Sequence, residues 1–186
     1  RRLGYGSAQG ERLFDRGKPQ MMAPERPGGE ITGRDPCHPV VAEARRWIGT
    51  PYLHQASCRG GGCDCLGLIR GIWRARFTQE PEMPPAYSMD WSEPQREERL
   101  WQAARAHLVT KPLNEGALGD VLLFRMRAGA VAKHLGVQSQ LSLENGARGA
   151  SFIHAYSGHG VVESALTPAW SRRIVARFEF PDTTTP

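Results

Sequence analysis

The chain has 186 residues, 40% hydrophobic and 23% charged, an ordinary globular composition with enough length for one domain and a real core. Its net charge of +5 comes from 21 Arg against 3 Lys. These are spread without runs or interleaved aromatics, which argues against a nucleic-acid surface. No apolar run is long enough to cross a bilayer.

Residues 1–36 are rich in Gly, Pro and charge, with no sustained apolar period, and read as an extended N-terminal arm. The opening stretch lacks an apolar h-region and does not fit a secretory signal peptide; Met21 and Met22 are candidate native starts. The domain is expected over 37–181, with a short tail at 182–186. "HPVVAEARRWIGT" places Val40, Val41, Ala44, Trp47 and Ile48 at helical spacing, and Gly49 and Pro51 end that helix. After the loop "PYLHQASCRGGGC", Asp64 is placed to cap a second helix with the stripe Leu66, Leu68, Ile69, Ile72, Trp73 and Phe77. Gly67 and Gly71, four apart, let another element pack closely on that helix. Residues 78–94 are Pro-rich and irregular, and a third helix is expected over 95–109. Then come strand patterns: "VLLFRM" after the Gly119-Asp120 turn, "KHLGVQS", "SFIHAY", "GVVESAL" and "RRIVARFEF", with "LENGARGA" as a hairpin connection. Helices fill the first half and strands the second, so the expected class is α+β.

Three of the four cysteines, Cys58, Cys63 and Cys65, lie within eight residues; Cys37 stands apart and receives no role. A secreted disulfide scaffold spreads its cysteines more evenly, so the cluster points to chemistry or metal. If Asp64 caps the helix, Cys65 falls in its first turn, where unpaired N–H groups and the helix dipole favour an anion. That placement predicts a thiol with lowered pKa. A thiolate nucleophile needs a base, and the base a third polar group to fix its ring. His134 and His154, on strands joined by a hairpin, can share one face, with His134 as base and His154 as orienter. His159 competes for the orienting role from a Gly turn. His54 and His107 read as ordinary histidines, and Glu163 as a solvated strand-end carboxylate.

The stretches "WIGTPY", "CDCLGLIRG", "LGDVLLF", "HLGV", "FIHA" and "GVVES", in this order over residues 47–164, resemble the NlpC-type cell-wall peptidases, papain-like cysteine peptidases of bacteria and their phages. "PPAYSMDW" and "YLHQASCRGGGCDCLGL" resemble the phage and gene-transfer-agent members that ride on tail particles. The resemblance implies a papain-like fold, with the helical half packed on an antiparallel sheet. It implies Cys65 as nucleophile, His134 as base, His154 as third polar residue and Tyr52 as a helper at the oxyanion site. It further implies hydrolysis of amide bonds in murein stem peptides, with no cofactor and no metal, by a virion-tail component assembled in the cytoplasm and acting at the cell wall. The expected partners are stem peptides and, through the arm, other tail or hub proteins. Leu66 departs from the Ser common after the family's nucleophile, which alters a pocket wall.

Four other readings stay open at this level. A structural tail-hub protein with weak or silent peptidase activity fits the arm, and an acyltransferase fits the same scaffold. His54, Cys58, Cys63 and Cys65 count four zinc ligands, but one residue between Cys63 and Cys65 is poor chelate spacing. A Cys58–Cys63 disulfide would close the small Gly loop.

Overall fold

The computed structural model describes residues 38–87, 97–142 and 149–182. The expected arm, the "MDWSEP" end of the Pro-rich stretch, most of the hairpin connection and the last four residues lie outside these. Helix α1 spans Pro39–Arg46, with Pro at its first position, where its missing N–H costs no hydrogen bond. Val40, Val41 and Ala44 are buried on its inner face, and Gly49 turns the chain with φ +87°.

The next segment holds two elements that the sequence does not announce. Strands β1 (Ser57–Cys58) and β2 (Gly62–Cys63) form a small antiparallel hairpin of their own. Helix α2 follows at Cys65–Phe77, with Asp64 as its N-cap. Its two glycines work as expected. A Cβ on Gly71 would lie 2.0 Å from the Trp47 ring of α1's end, and one on Gly67 would lie 1.9 Å from the Ala56 carbonyl oxygen. The helix can therefore touch both α1 and the backbone of the loop before it.

Helix α3 covers Arg99–His107, shorter than the expected 95–109, and the chain then runs into strand β3, Val109–Lys111. Strands β4 (Val121–Phe124), β5 (His134–Gln140), β6 (Ser151–Tyr156) and β7 (Gly160–Ala165) follow, then a one-turn helix α4 (Pro168–Ser171) and strand β8 (Ile174–Glu179). The sheet is antiparallel, in the order β3-β8-β4-β5-β6-β7.

Side chains alternate across a strand, and the sheet therefore has two unlike faces. Val121, Leu123, Leu135, Val137, Ile153 and Phe178 join α1, α2 and α3 in the main core. Leu122, Phe124 and Phe152 form a smaller cluster on the other face, covered by Trp170 of α4. At the start of β4, Asp120 is buried and accepts from Lys111 at 2.9 Å, Arg177 at 2.9 Å and the Ala117 N–H at 2.7 Å. This paired charge ties β3, β8 and β4 together at their shared end.

Helix propensity alone predicts that Gly67→Ala gains about 1 kcal/mol. The backbone clash opposes it, and overpacking against backbone costs about 1–3 kcal/mol or more. The urea midpoint of Gly67→Ala is therefore expected to fall; a rise would show that Ala56 does not lie against α2.

Candidate active site

Asp64 is 3% exposed, and its carboxylate is filled with donors. Oδ1 accepts from the Gly67 N–H at 2.8 Å, capping α2. Oδ2 accepts from the Gln55 N–H at 2.8 Å and the Tyr87 hydroxyl at 2.6 Å, and His54 Nδ1 stands 3.5 Å away. Tyr87 is reached from the Pro-rich stretch, which is clamped at its other end by Glu80 on Arg70 and Arg74. Sequence reasoning named Asp64 as a cap but missed Tyr87 and Gln55. The signal was faint: one tyrosine amid prolines, and a residue held at φ +63° with no glycine to mark it.

The cap delivers Cys65 to the start of β5. Its Sγ stands 3.9 Å from the Lys133 carbonyl and lies near the Leu135 N–H, the groups on either side of His134. The sulfur thus lies against the backbone that carries the candidate base. The expected lowering of its pKa does not occur. Burial and then the adjacent Asp64 carboxylate push the thiol up to about 12, against the weaker pull of the N–H groups of Leu135, Leu66 and Cys65 itself. A full charge in a poorly solvated site outweighs the partial charge of a helix end.

His134 and His154 fall on the same face, and His134 Nε2 lies 2.8 Å from His154 Nδ1. Register explains this. The β5–β6 ladder pairs Val137 with Ile153, which sets His134 and His154 diagonal on the α4 face. Gly136 makes the approach possible, since a Cβ there would meet Phe152 at 2.7 Å and His154 Cβ at 3.4 Å. Phe124, Phe152, Tyr156 and Trp170 ring the pair. In this aromatic box both imidazoles are held neutral. Burial and then the His154 ring lower His134 to about 3, and burial and then His159 lower His154 to about 4. The far nitrogen of His154, Nε2, lies 3.1 Å from Ser164 Oγ, a partner the sequence reading did not include.

Tyr52 bridges to Cys63 in parallel fashion, and its hydroxyl pKa is raised by burial and then by the nearby Cys65 and Asp64, which sets it near Cys65. His159 stacks on Tyr156 at 5.5 Å, while the hydrogen bond to His134 comes from His154. His107 pairs with Glu82. Glu163 is not simply solvated: it accepts from Ser151 at 3.0 Å and faces Arg45 at 3.5 Å. In the β1–β2 hairpin, Ser57 opposes Cys63 and Cys58 opposes Gly62. Cys58 and Cys63 therefore point to opposite faces, one exposed and one buried, and both are free thiols. The disulfide that the sequence left open does not form on this register. Among the described residues no three His, Cys, Asp or Glu side chains are gathered as a metal site. A cavity of about 470 Å³ lies between α2, α3 and the Pro81–Pro85 stretch. Its walls include Leu66 and Leu135 but none of Cys65, His134 and His154, so it adjoins the site without containing it.

An NlpC/P60 family protein from Bacillus cereus superposes on the chain with a TM-score of 0.51 at 17% identity, over 76% of this chain and 39% of that one. The NlpC/p60 domain of the peptidoglycan hydrolase SagA gives 0.49 at 20% identity, over 76% and 96%. A Staphylococcus aureus protein described as similar to lipoprotein, NLP/P60 family, gives 0.48 at 17%, over 76% and 40%. The chain spans about two fifths of the length of the Bacillus and Staphylococcus proteins. No protein-family model and no curated protein matches the sequence. The fold is thus α+β of the NlpC/P60 type, with the helical half packed on the antiparallel sheet.

Two pH responses follow. With the thiol raised to about 12, iodoacetamide labelling of Cys65, followed by peptide mapping, is expected to accelerate continuously up to pH 9; a plateau from pH 5 would reveal a preformed thiolate. The histidine pair acts on stability. Unfolded histidines bind protons below about pH 6.5, whereas the folded pair resists until about 4 to 3. Stability is therefore lost as pH falls through that window. The melting temperature of His154→Gln is expected to fall less than that of wild type between pH 6.5 and 4.5, and equal slopes would refute a neutral pair.

Proposed function

We propose that the chain is a cysteine peptidase that hydrolyses amide bonds in the peptide stems of murein, with Cys65 as nucleophile. The observation that carries this reading is one juxtaposition. A capped helix start holds Cys65 against the backbone flanking His134, and His134 is hydrogen-bonded to His154. The NlpC/P60-type fold supports the substrate class, as does the sequence resemblance to cell-wall peptidases.

In this reading the resting site is uncharged, and the nucleophile is made during attack. His134 uses Nε2 toward His154, which leaves Nδ1 for the thiol. As Sγ bonds to the stem carbonyl carbon, its proton passes to Nδ1, and negative charge gathers on the carbonyl oxygen. The first-turn N–H of Cys65 and the Tyr52 hydroxyl are the donors offered to that oxygen. The C–N bond then breaks, the imidazolium protonates the leaving amine, and a thioester remains on Cys65. Water, losing a proton to His134, attacks the thioester. The C–S bond breaks, the new carboxyl end leaves and the thiol regains its proton.

The setting we propose is a phage-like tail, assembled in the cytoplasm and presented to the wall on particle delivery. Its support is the likeness of "PPAYSMDW" and "YLHQASCRGGGCDCLGL" to tail-borne members. In that setting the N-terminal arm would dock on neighbouring tail or hub proteins.

Digestion of purified murein, read by mass spectrometry of the released stems, tests the peptidase reading. Cys65→Ala is expected to lower cleavage at least about a thousandfold with an unchanged melting curve. Cleavage retained by a folded Cys65→Ala protein would remove the nucleophile assignment. Failure of the wild type on both diaminopimelate- and lysine-type stems would remove the peptidase reading and favour a silent hub protein.

A further inference from the structure

We propose that Tyr87 is a positioning residue for Cys65, acting through Asp64: its hydroxyl holds the carboxylate that caps α2 and takes up part of the charge that faces the sulfur. The consequence for turnover rests on the peptidase reading above; the consequence for the thiol does not.

The partner settles the polarity of the contact. A carboxylate only accepts, so the Tyr87 hydroxyl is the donor to Asp64 Oδ2. Its length of 2.6 Å falls in the range of O–H···O bonds to a charged acceptor. The other two donors at Asp64 are the backbone N–H groups of Gln55 and Gly67, which do not depend on the side chains at those positions. His54 adds no donor while its ring is neutral. Its Nε2 lies 2.8 Å from the Tyr87 carbonyl oxygen, which also only accepts, so the ring proton sits on Nε2. The Nδ1 turned toward Asp64 at 3.5 Å is then bare. Tyr87 thus supplies the side-chain hydrogen bond at this carboxylate.

Its own stretch of chain delivers the residue there. Glu80 anchors on Arg70 and Arg74 of α2, and the chain then returns through Pro81, Pro84 and Pro85 to the N-cap of the same helix. Proline fixes φ and stiffens that path. The backbone at Tyr87 is held separately from the hydroxyl, since its carbonyl takes the His54 Nε2–H and the Gln55 Nε2–H. Removing the hydroxyl alone leaves these anchors in place, and the change is confined to Asp64. That carboxylate precedes Cys65, and its charge pushes the thiol up. A donor on Oδ2 draws charge away from the sulfur. Without it, Oδ2 keeps the Gln55 N–H and the remaining charge bears more strongly on Cys65. A mere tether would act in the opposite sense, since its loss would loosen the stretch and open the sulfur to reagents.

The test uses the full chain as wild type, as Tyr87→Phe, and with fluorotyrosine at position 87, its fluorine ortho to the hydroxyl. Fluorotyrosine is a stronger donor of nearly the same shape. Iodoacetamide labelling of Cys65, read by peptide mapping from about pH 7 to 9, needs no turnover. Tyr87→Phe is expected to slow labelling about two- to fivefold at each pH, and fluorotyrosine to speed it by up to about twofold. Labelling of folded Tyr87→Phe at or above the wild-type rate would overturn the proposal. Fluorotyrosine keeps the hydrogen bond, so labelling there no faster than wild type would overturn it even where Tyr87→Phe fails to fold. On soluble stem peptides, Tyr87→Phe is expected to lose about three- to tenfold in kcat with KM unchanged. Slowed labelling in a protein that cleaves no murein in any form would uphold the role of Tyr87 while removing the peptidase reading.

Discussion

The structure of the site depends on one buried carboxylate. Asp64 accepts from three separate segments: the first turn of α2, the loop at Gln55 and the Pro-rich stretch at Tyr87. Hydrogen bonds to a charged acceptor contribute about 1.5–3 kcal/mol each, and losing the acceptor would strand three donors. No apolar substitute can replace that, because two of the donors are backbone N–H groups that every residue there would present. The same charge has a second effect: it stands next to Cys65 in sequence and raises its thiol. The group that places the sulfur is thus also the group that opposes its ionisation.

On the peptidase reading proposed above, placement wins that conflict because the chemistry does not need a standing thiolate. It needs a proton acceptor at the moment of attack, and the aromatic box keeps one ready. Phe124, Phe152 and Trp170 exclude water from the rings, and desolvation penalises an imidazolium more than a neutral ring. Both partners therefore rest uncharged, and on the same reading the charges would form together once a carbonyl is present to receive electron density. A bound substrate would then dry the site and strengthen the interaction between the imidazolium and the developing oxyanion.

Much of this was legible in the sequence, for identifiable reasons. The bounds of α2 follow from an Asp cap and an apolar stripe, and Gly67 and Gly71 marked the close contacts that exist at Ala56 and Trp47. The shared face of His134 and His154 follows from strand alternation across a hairpin. Elements below the length at which periodicity can speak were missed: the two-residue strands β1 and β2, the three-residue β3 and the four-residue α4. Thr167-Pro168 did carry a helix-start signal for α4, since Thr167 accepts from the Trp170 N–H, but one turn has no stripe to support it. The thiol's pKa was misjudged because the helix end was weighed and the neighbouring carboxylate was counted only as a cap. Tyr87 and Ser164 could not be reached by local reasoning. Each acts through a partner brought near by tertiary packing or by ladder register, and the stretches "PPAYSMDW" and "GVVES" that contain them do not point to those partners.

The choice of histidine at position 154 is itself part of the electrostatic design. A carboxylate in that place would accept from His134 Nε2 equally well, but its charge would stabilise the imidazolium and raise the pKa of the base. The thiol would then face a partner already inclined to hold its proton, and an ion pair would become the resting state. A neutral histidine orients the ring without that bias, and it resists a second positive charge beside it. It has its own cost: a histidine is asymmetric and can point either nitrogen's proton toward its neighbour, whereas a carboxylate only accepts. Orientation by histidine is therefore incomplete until something beyond it selects the tautomer. In this fold the far nitrogen of His154 meets the Ser164 hydroxyl on the next strand, a group that can accept or donate and so satisfies either arrangement.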